Sequence, residues 1–169
     1  MRLGSVQIVA ATKDKAPFQV DAVAAEEDTY LVLSTDAVVR EVREPLMKVM
    51  TRVIETQPEA PGSVLVKGTG PLRLLAIVHD LDQDPTWKEE WIASALRGIL
   101  REAESRKLES IALPFIGTKH GSLEKQRFLV LLRRALEEES RSYPKRLWLV
   151  IPDERSYKIL ETFAAGTKA

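Results

Sequence analysis

The residues best suited to chemistry lie in one short stretch, PFIGTKHGS (114–122). Gly117 and Gly121 let a backbone approach a ligand closely. Thr118 adds a hydroxyl, Lys119 a positive charge and His120 an imidazole, and Ile116 ends the apolar run before them. The run over 110–116 reads as a buried strand, and Ser122 reads as the N-cap of a helix. A strand that passes through a Gly-rich turn into a helix presents free backbone N–H groups and the positive end of the helix dipole. That arrangement suits a phosphate or pyrophosphate. The same spacing serves a tight turn in which Gly supplies φ > 0. Spacing alone does not choose between the two.

Other chemistries are excluded or poorly supported. The chain has no Cys, which removes thiolate catalysis, disulfides and cysteinyl metal sites. Two His cannot build a three-His metal centre. No Ser is placed as a nucleophile beside a His. Asp80, Asp82 and Asp84 open like a calcium loop, but the sixth place is Pro85 and the twelfth is Trp91, so the stretch reads as an exposed loop. Lys67-Gly68-Thr69-Gly70 reads as a hairpin turn and not a P-loop. His79 ends an apolar run and reads as a structural His. Trp87, Trp91 and Trp148 read as core. The expectation is no metal and no cofactor.

The 169 residues suit one α/β domain spanning 1–169. A chain of this size buries roughly two-thirds of its unfolded surface, enough for a real core. Lys plus Arg total 25 against 25 Asp plus Glu, and this balance argues against bulk attraction to nucleic acid. No apolar run approaches the ~18 residues of a membrane span. The N-terminus lacks the pattern of a signal peptide, so the expected location is cytoplasmic. The sequence gives no oligomeric state.

The elements that must position the 116–121 loop follow from periodicity. Strands are expected over 6–10, 20–24, 30–33, 64–66, 72–79, 110–116 and 147–152. The last three are nearly continuous apolar runs, as in strands covered on both faces. A helix is expected over 36–55, with Pro45 kinking or splitting it. A second starts at Thr86, where Thr86-Trp87-Lys88-Glu89 reads as a capping box. Its inward stripe is Trp87, Trp91, Leu96, Ile99, Leu100 and Ala103. A third starts at Ser122, and a fourth runs from Asp153 to near Gly166. Strand and helix alternate from residue 72 onward, which predicts a mostly parallel sheet with right-handed crossovers. Ligands then sit beyond the C-terminal ends of the strands.

The stretch SIALPFIGT (110–118) resembles the phosphate-loop strand of macro domains, the ADP-ribose-binding module. PGSVLVKGTGPL (61–72) is similar to the family's hairpin, and AIVH (76–79) to the strand after it. The resemblance covers about residues 60 to 160. It implies a three-layer α/β/α sandwich with a mixed, mostly parallel sheet. It also implies an ADP-ribose-like or phosphate-bearing nucleotide as small-molecule partner, bound by Ile116, Gly117, Thr118, Lys119, His120 and Gly121.

The first third of the chain departs from the pattern. Ala10-Ala11-Thr12 stands where the family carries a Gly-Asp pair that contacts adenine. The Asn-Ala-Ala-Asn type motif is replaced by Ala25-Glu26-Glu27-Asp28, and the Gly-rich loop after it is missing. The resemblance sets Asp21, Ala25, Glu26, Glu27 and Asp28 on the rim of the cleft. Each carboxylate there would repel a pyrophosphate by about 1 kcal/mol or more near the surface. Weak binding is the expectation. An acidic cluster facing Lys119 could hold Mg²⁺ beside a phosphate, but a solvated acidic loop is the plainer reading. Two alternatives stand beside the binding module. One is a hydrolase of macro type, for which Asp28 is the sole candidate to position water. The other is a structural or interaction domain with a degenerate pocket.

Overall fold

The computed structural model describes residues 1–33, 58–119 and 121–165. Seven strands form one sheet. They are β1 (Arg2–Leu3), β2 (Val6–Thr12), β3 (Ala22–Asp28), β4 (Val64–Lys67), β5 (Leu72–His79), β6 (Ser110–Pro114) and β7 (Arg146–Ile151). Their spatial order is β1-β2-β7-β6-β3-β5-β4. The two outermost pairs, β1–β2 and β4–β5, are antiparallel, and every inner pair is parallel. The described helices are α1 (Glu89–Arg106), α2 (Lys125–Glu138) and α3 (Tyr157–Ala165), the last preceded by a 3-10 turn at Glu154–Ser156. This is the mixed, mostly parallel α/β sheet that the alternation of elements predicts.

Period-2 patterning sorts the side chains by face. Ile8, Ala24, Leu74, Ala76, Ile111, Leu113, Leu147 and Leu149 join the main core, which α1, α2 and α3 cover with Ile92, Leu96, Ile99, Leu100, Phe128, Leu132 and Phe163. Phe115 and Phe128 stack with centroids 5.1 Å apart and fasten the end of β6 to α2. On the other face Ala11, Ala112 and Trp148 form a second cluster, and Leu75 and Ile77 are buried. The helix expected over 36–55, the second layer that it would supply, His120 and the expected helix end at Gly166 lie outside the described residues.

Several boundaries differ from the sequence expectation for physical reasons. β3 does not stop at residue 24. It continues through Glu26, Glu27 and Asp28 because β5 keeps pairing with it as far as Asp28–His79. Residues 30–33 are a turn leading into a helical start, not a strand, with Leu31 at φ 61. The capping box at Thr86 does not form. Trp87 bridges His79 in an antiparallel pair, which holds 86–88 extended, so α1 starts at Glu89 after Lys88, with no side-chain cap. Glu89 instead pairs with Arg127 of α2 at 2.5 Å. Ser122 likewise caps nothing, since α2 begins at Lys125 after Glu124. Asp153 does act as a cap, accepting from the Ser156 N–H at 3.1 Å.

Candidate functional site

β3 and β6 are paired only at Ala22–Ile111 and Val23–Ala112, whereas β3 stays paired with β5 to its end. Beyond Val23 the two strands therefore part. This is also where the order splits, β6 leading through α2 to its neighbour β7 on one side while β3 neighbours β5 on the other. A crevice at the carboxyl ends of parallel strands, at such a split, is where α/β sheets place ligands. The 116–121 loop leaves β6 on one side of it.

The loop is built on a tight scaffold. Gly117 has φ +89, and a Cβ there would meet Ile92 Cδ1 at 2.3 Å. A Cβ on Gly121 would meet the Gly117 carbonyl oxygen at 2.6 Å and the Trp87 ring at 3.2 Å. Both positions thus need glycine for packing, whatever they bind. Ile116 is fully buried and belongs to the core. The Thr118 hydroxyl donates to the Phe115 carbonyl at 2.7 Å and so serves the turn. Lys119 is exposed and projects from the loop.

Four successive loop amides donate within the protein. Ile116 N–H donates to Pro114 O at 2.9 Å, and Thr118 N–H to Phe115 O at 3.2 Å. The other two converge on one oxygen from across the crevice. Gly117 N–H donates to Glu26 Oε1 at 2.6 Å, and Lys119 N–H donates to the same oxygen at 3.3 Å. The other carboxylate oxygen of Glu26 lies 2.9 Å from His79 Nε2. An ionised carboxylate only accepts, so Nε2 carries the proton. The side chains of Glu26 and His79 are 6% and 3% exposed. Burial works to raise the Glu26 pKa, but the hydrogen bonds from His79, Gly117 and Lys119 outweigh it and hold the carboxyl below the usual range.

The macro domain family model matches residues 36–131, more than half of the chain. The chain belongs to the macro domain family. Solved macro domains share its fold. The Oceanobacillus iheyensis macrodomain with ADP superposes with a TM-score of 0.70 at 16% identity, covering 99% of this chain and 94% of that one. A variant of the same protein with ADPR gives 0.70 at 15% identity, covering 99% and 96%. The macrodomain of Thermus aquaticus DarG gives 0.59 at 18% identity, covering 87% and 98%. No curated protein matches the sequence.

Of the five rim residues expected for this macro domain, Glu26 reaches the described part of the loop, through Gly117 and Lys119. Asp21 stands at the opposite end of β3, where its Oδ2 accepts from Glu109 N–H at 2.8 Å and Ser110 N–H at 3.4 Å. Strand alternation sends Ala25 and Glu27 to the other face from Glu26. Glu27 is fully buried and accepts from Asp28 N–H at 3.0 Å. Asp28 is also fully buried, and its two oxygens accept from Tyr30 N–H and Leu33 N–H at 2.8 Å each. It shapes the turn after β3 and shows no oxygen to solvent. The acidic run is therefore neither a solvated loop nor a rim of free charge. Each carboxylate is folded in against backbone amides.

The remaining expectations sort as follows. Among the described residues no cluster of three or more His, Asp or Glu is arranged to hold a metal. Asp80 accepts from Asp82 N–H and from the Gln83 amide, forming a local turn. Tyr30 donates to Asp82 at 2.5 Å, joining the turn after β3 to the loop after β5. That bond, with some help from burial and the Asp82 charge, raises the phenol above its ordinary range. No described helix is long and apolar enough to cross a membrane. His79 pairs with Glu26, a residue that the resemblance sets on the rim of the cleft. The two are 53 positions apart and no local pattern links them.

Proposed function

We propose that the chain, over 1–169, is one cytoplasmic macro-type binding domain that holds an ADP-ribose-like or phosphate-bearing nucleotide weakly at the 116–121 loop. One observation carries the reading. Two loop amides, of Gly117 and Lys119, already converge on a single anionic oxygen, at 2.6 and 3.3 Å. A backbone nest that holds a carboxylate oxygen is built for an oxyanion. Lys119 adds a charge at its outer edge. Macro domains with ADP and ADPR share the fold.

The same bonds favour a second reading, an interaction domain whose pocket is degenerate, because the donors are satisfied without a ligand. Calorimetry of the unmodified protein with ADP-ribose, ADP, AMP and inorganic phosphate separates the two. Measurable heat with a dissociation constant well above the low-micromolar range is the expected result. A low-micromolar constant for ADP-ribose overturns the weak-binding reading, and no heat with any of the four favours the degenerate pocket.

A further inference from the structure

We propose that Glu26 is the specificity-determining residue of this loop: its carboxylate holds the place of a ligand's phosphate oxygen, and the site admits a phosphate only by displacing it. The inference rests on the macro-type reading above. Glu26 comes from β3, across the crevice, and is 91 positions from Gly117 in sequence. Its Oε1 accepts from Gly117 and Lys119, and its Oε2 is fixed by His79. The 2.6 Å bond is short, as charge-assisted bonds are.

An incoming phosphate must win the two amides from a group with the same charge and the same acceptor chemistry. It must also tolerate that charge nearby, and the repulsion grows with its own. A terminal phosphate monoester carries about −1.5 to −2 at neutral pH. Each phosphate of a diphosphate diester, as in ADP-ribose, carries a single negative charge. Glu26 therefore selects against terminal phosphates more strongly than against a diester, and it ranks ADP-ribose ahead of both ADP and inorganic phosphate.

Calorimetry at one neutral pH and one ionic strength, on the unmodified protein, Glu26→Gln and Glu26→Ala, tests this with those three ligands. Glu26→Gln keeps the shape and removes the charge, while Glu26→Ala frees the amides. Circular dichroism confirms which variants fold, and Glu26→Gln decides alone if Glu26→Ala does not. The expected result is affinity raised about tenfold or more for ADP and phosphate, and less for ADP-ribose, so that the ranking narrows. Binding by the unmodified protein with no gain in a folded variant overturns the role of Glu26 and leaves the macro-type reading standing. Equal gains for all three ligands overturn the selection by phosphate charge. No binding by any of the three proteins overturns both.

Discussion

At its N-terminal end β3 is tied to β6 by Asp21, whose carboxylate accepts from the amides of Glu109 and Ser110 just as β6 begins. At its C-terminal end the tie is Glu26, which accepts from the amides of Gly117 and Lys119 just after β6 ends. The two clamps use the same chemistry on the same pair of strands. They differ in what surrounds them. The Asp21 end stands where β3 and β6 are paired, and Asp21 is exposed. The Glu26 end stands where the strands have parted, inside the crevice and against a buried His79. A carboxylate that caps amides where strands are closed is a staple. The same group at the carboxyl ends of parallel strands sits on the edge where ligands bind.

The largest expected effect comes from the loop that the Glu26 clamp holds. Gly117→Ala forces a side chain onto φ +89 and against Ile92 Cδ1 at 2.3 Å. Strain and overpacking together should cost about 2–4 kcal/mol, read by chemical denaturation. Ile92→Ala combined with it should cost less than the sum of the two single changes, because the cavity relieves the clash. Full additivity would show that the loop moves away from α1.

Removing the clamps themselves should cost unequal amounts. Glu26→Ala deletes charge-assisted bonds in a buried setting and takes one partner from His79. About 2–3 kcal/mol is expected. Asp21→Ala removes an exposed clamp, and about 1 kcal/mol is expected. Equal losses would break the distinction between the two ends.

Much of this architecture was legible in the sequence where apolar runs were long. The strand over 72–79 has the expected limits, and Leu96, Ile99, Leu100 and Ala103 lie on the buried stripe of α1. Two of the failures share one cause, which is tertiary pairing that local patterns do not encode. Glu26, Glu27 and Asp28 look like a loop because they are charged, yet pairing with β5 draws them into a strand and backbone amides meet their charge. Thr86 looks like a cap, yet Trp87 pairs with His79 and delays the helix. The glycine loop itself was visible, but its principal acceptor comes from 91 residues away.

Acid should sharpen the contrast. Against the opposing effect of burial, the hydrogen bonds from His79, Gly117 and Lys119 hold the Glu26 carboxyl below the usual glutamate range in the folded protein. A group with a lowered folded pKa stabilises fully above its unfolded value, and that contribution is lost as pH falls through the folded one. Stability of the unmodified protein should therefore fall through the region below about pH 4.5, and Glu26→Gln should flatten that limb. The two proteins should differ most at neutral pH and converge in acid. An acid limb unchanged in Glu26→Gln would assign the acid sensitivity to other carboxylates.

The smallest effect on stability belongs to Lys119, and for that reason it is the cleanest probe of the site. Its backbone amide is part of the Glu26 clamp, but its side chain is exposed and makes no ion pair with another described residue. Lys119→Glu should change stability by no more than about 0.5 kcal/mol. It reverses one charge at the lip of the crevice. An anion held by the Gly117 and Lys119 amides should then bind several-fold more weakly, and added salt should shrink the difference because the side chain is open to solvent. Calorimetry at two salt concentrations reads both effects. Unchanged ADP-ribose affinity in Lys119→Glu would place the ligand away from the 116–121 loop, and Glu26 would then be only a staple between β3 and β6, as Asp21 is.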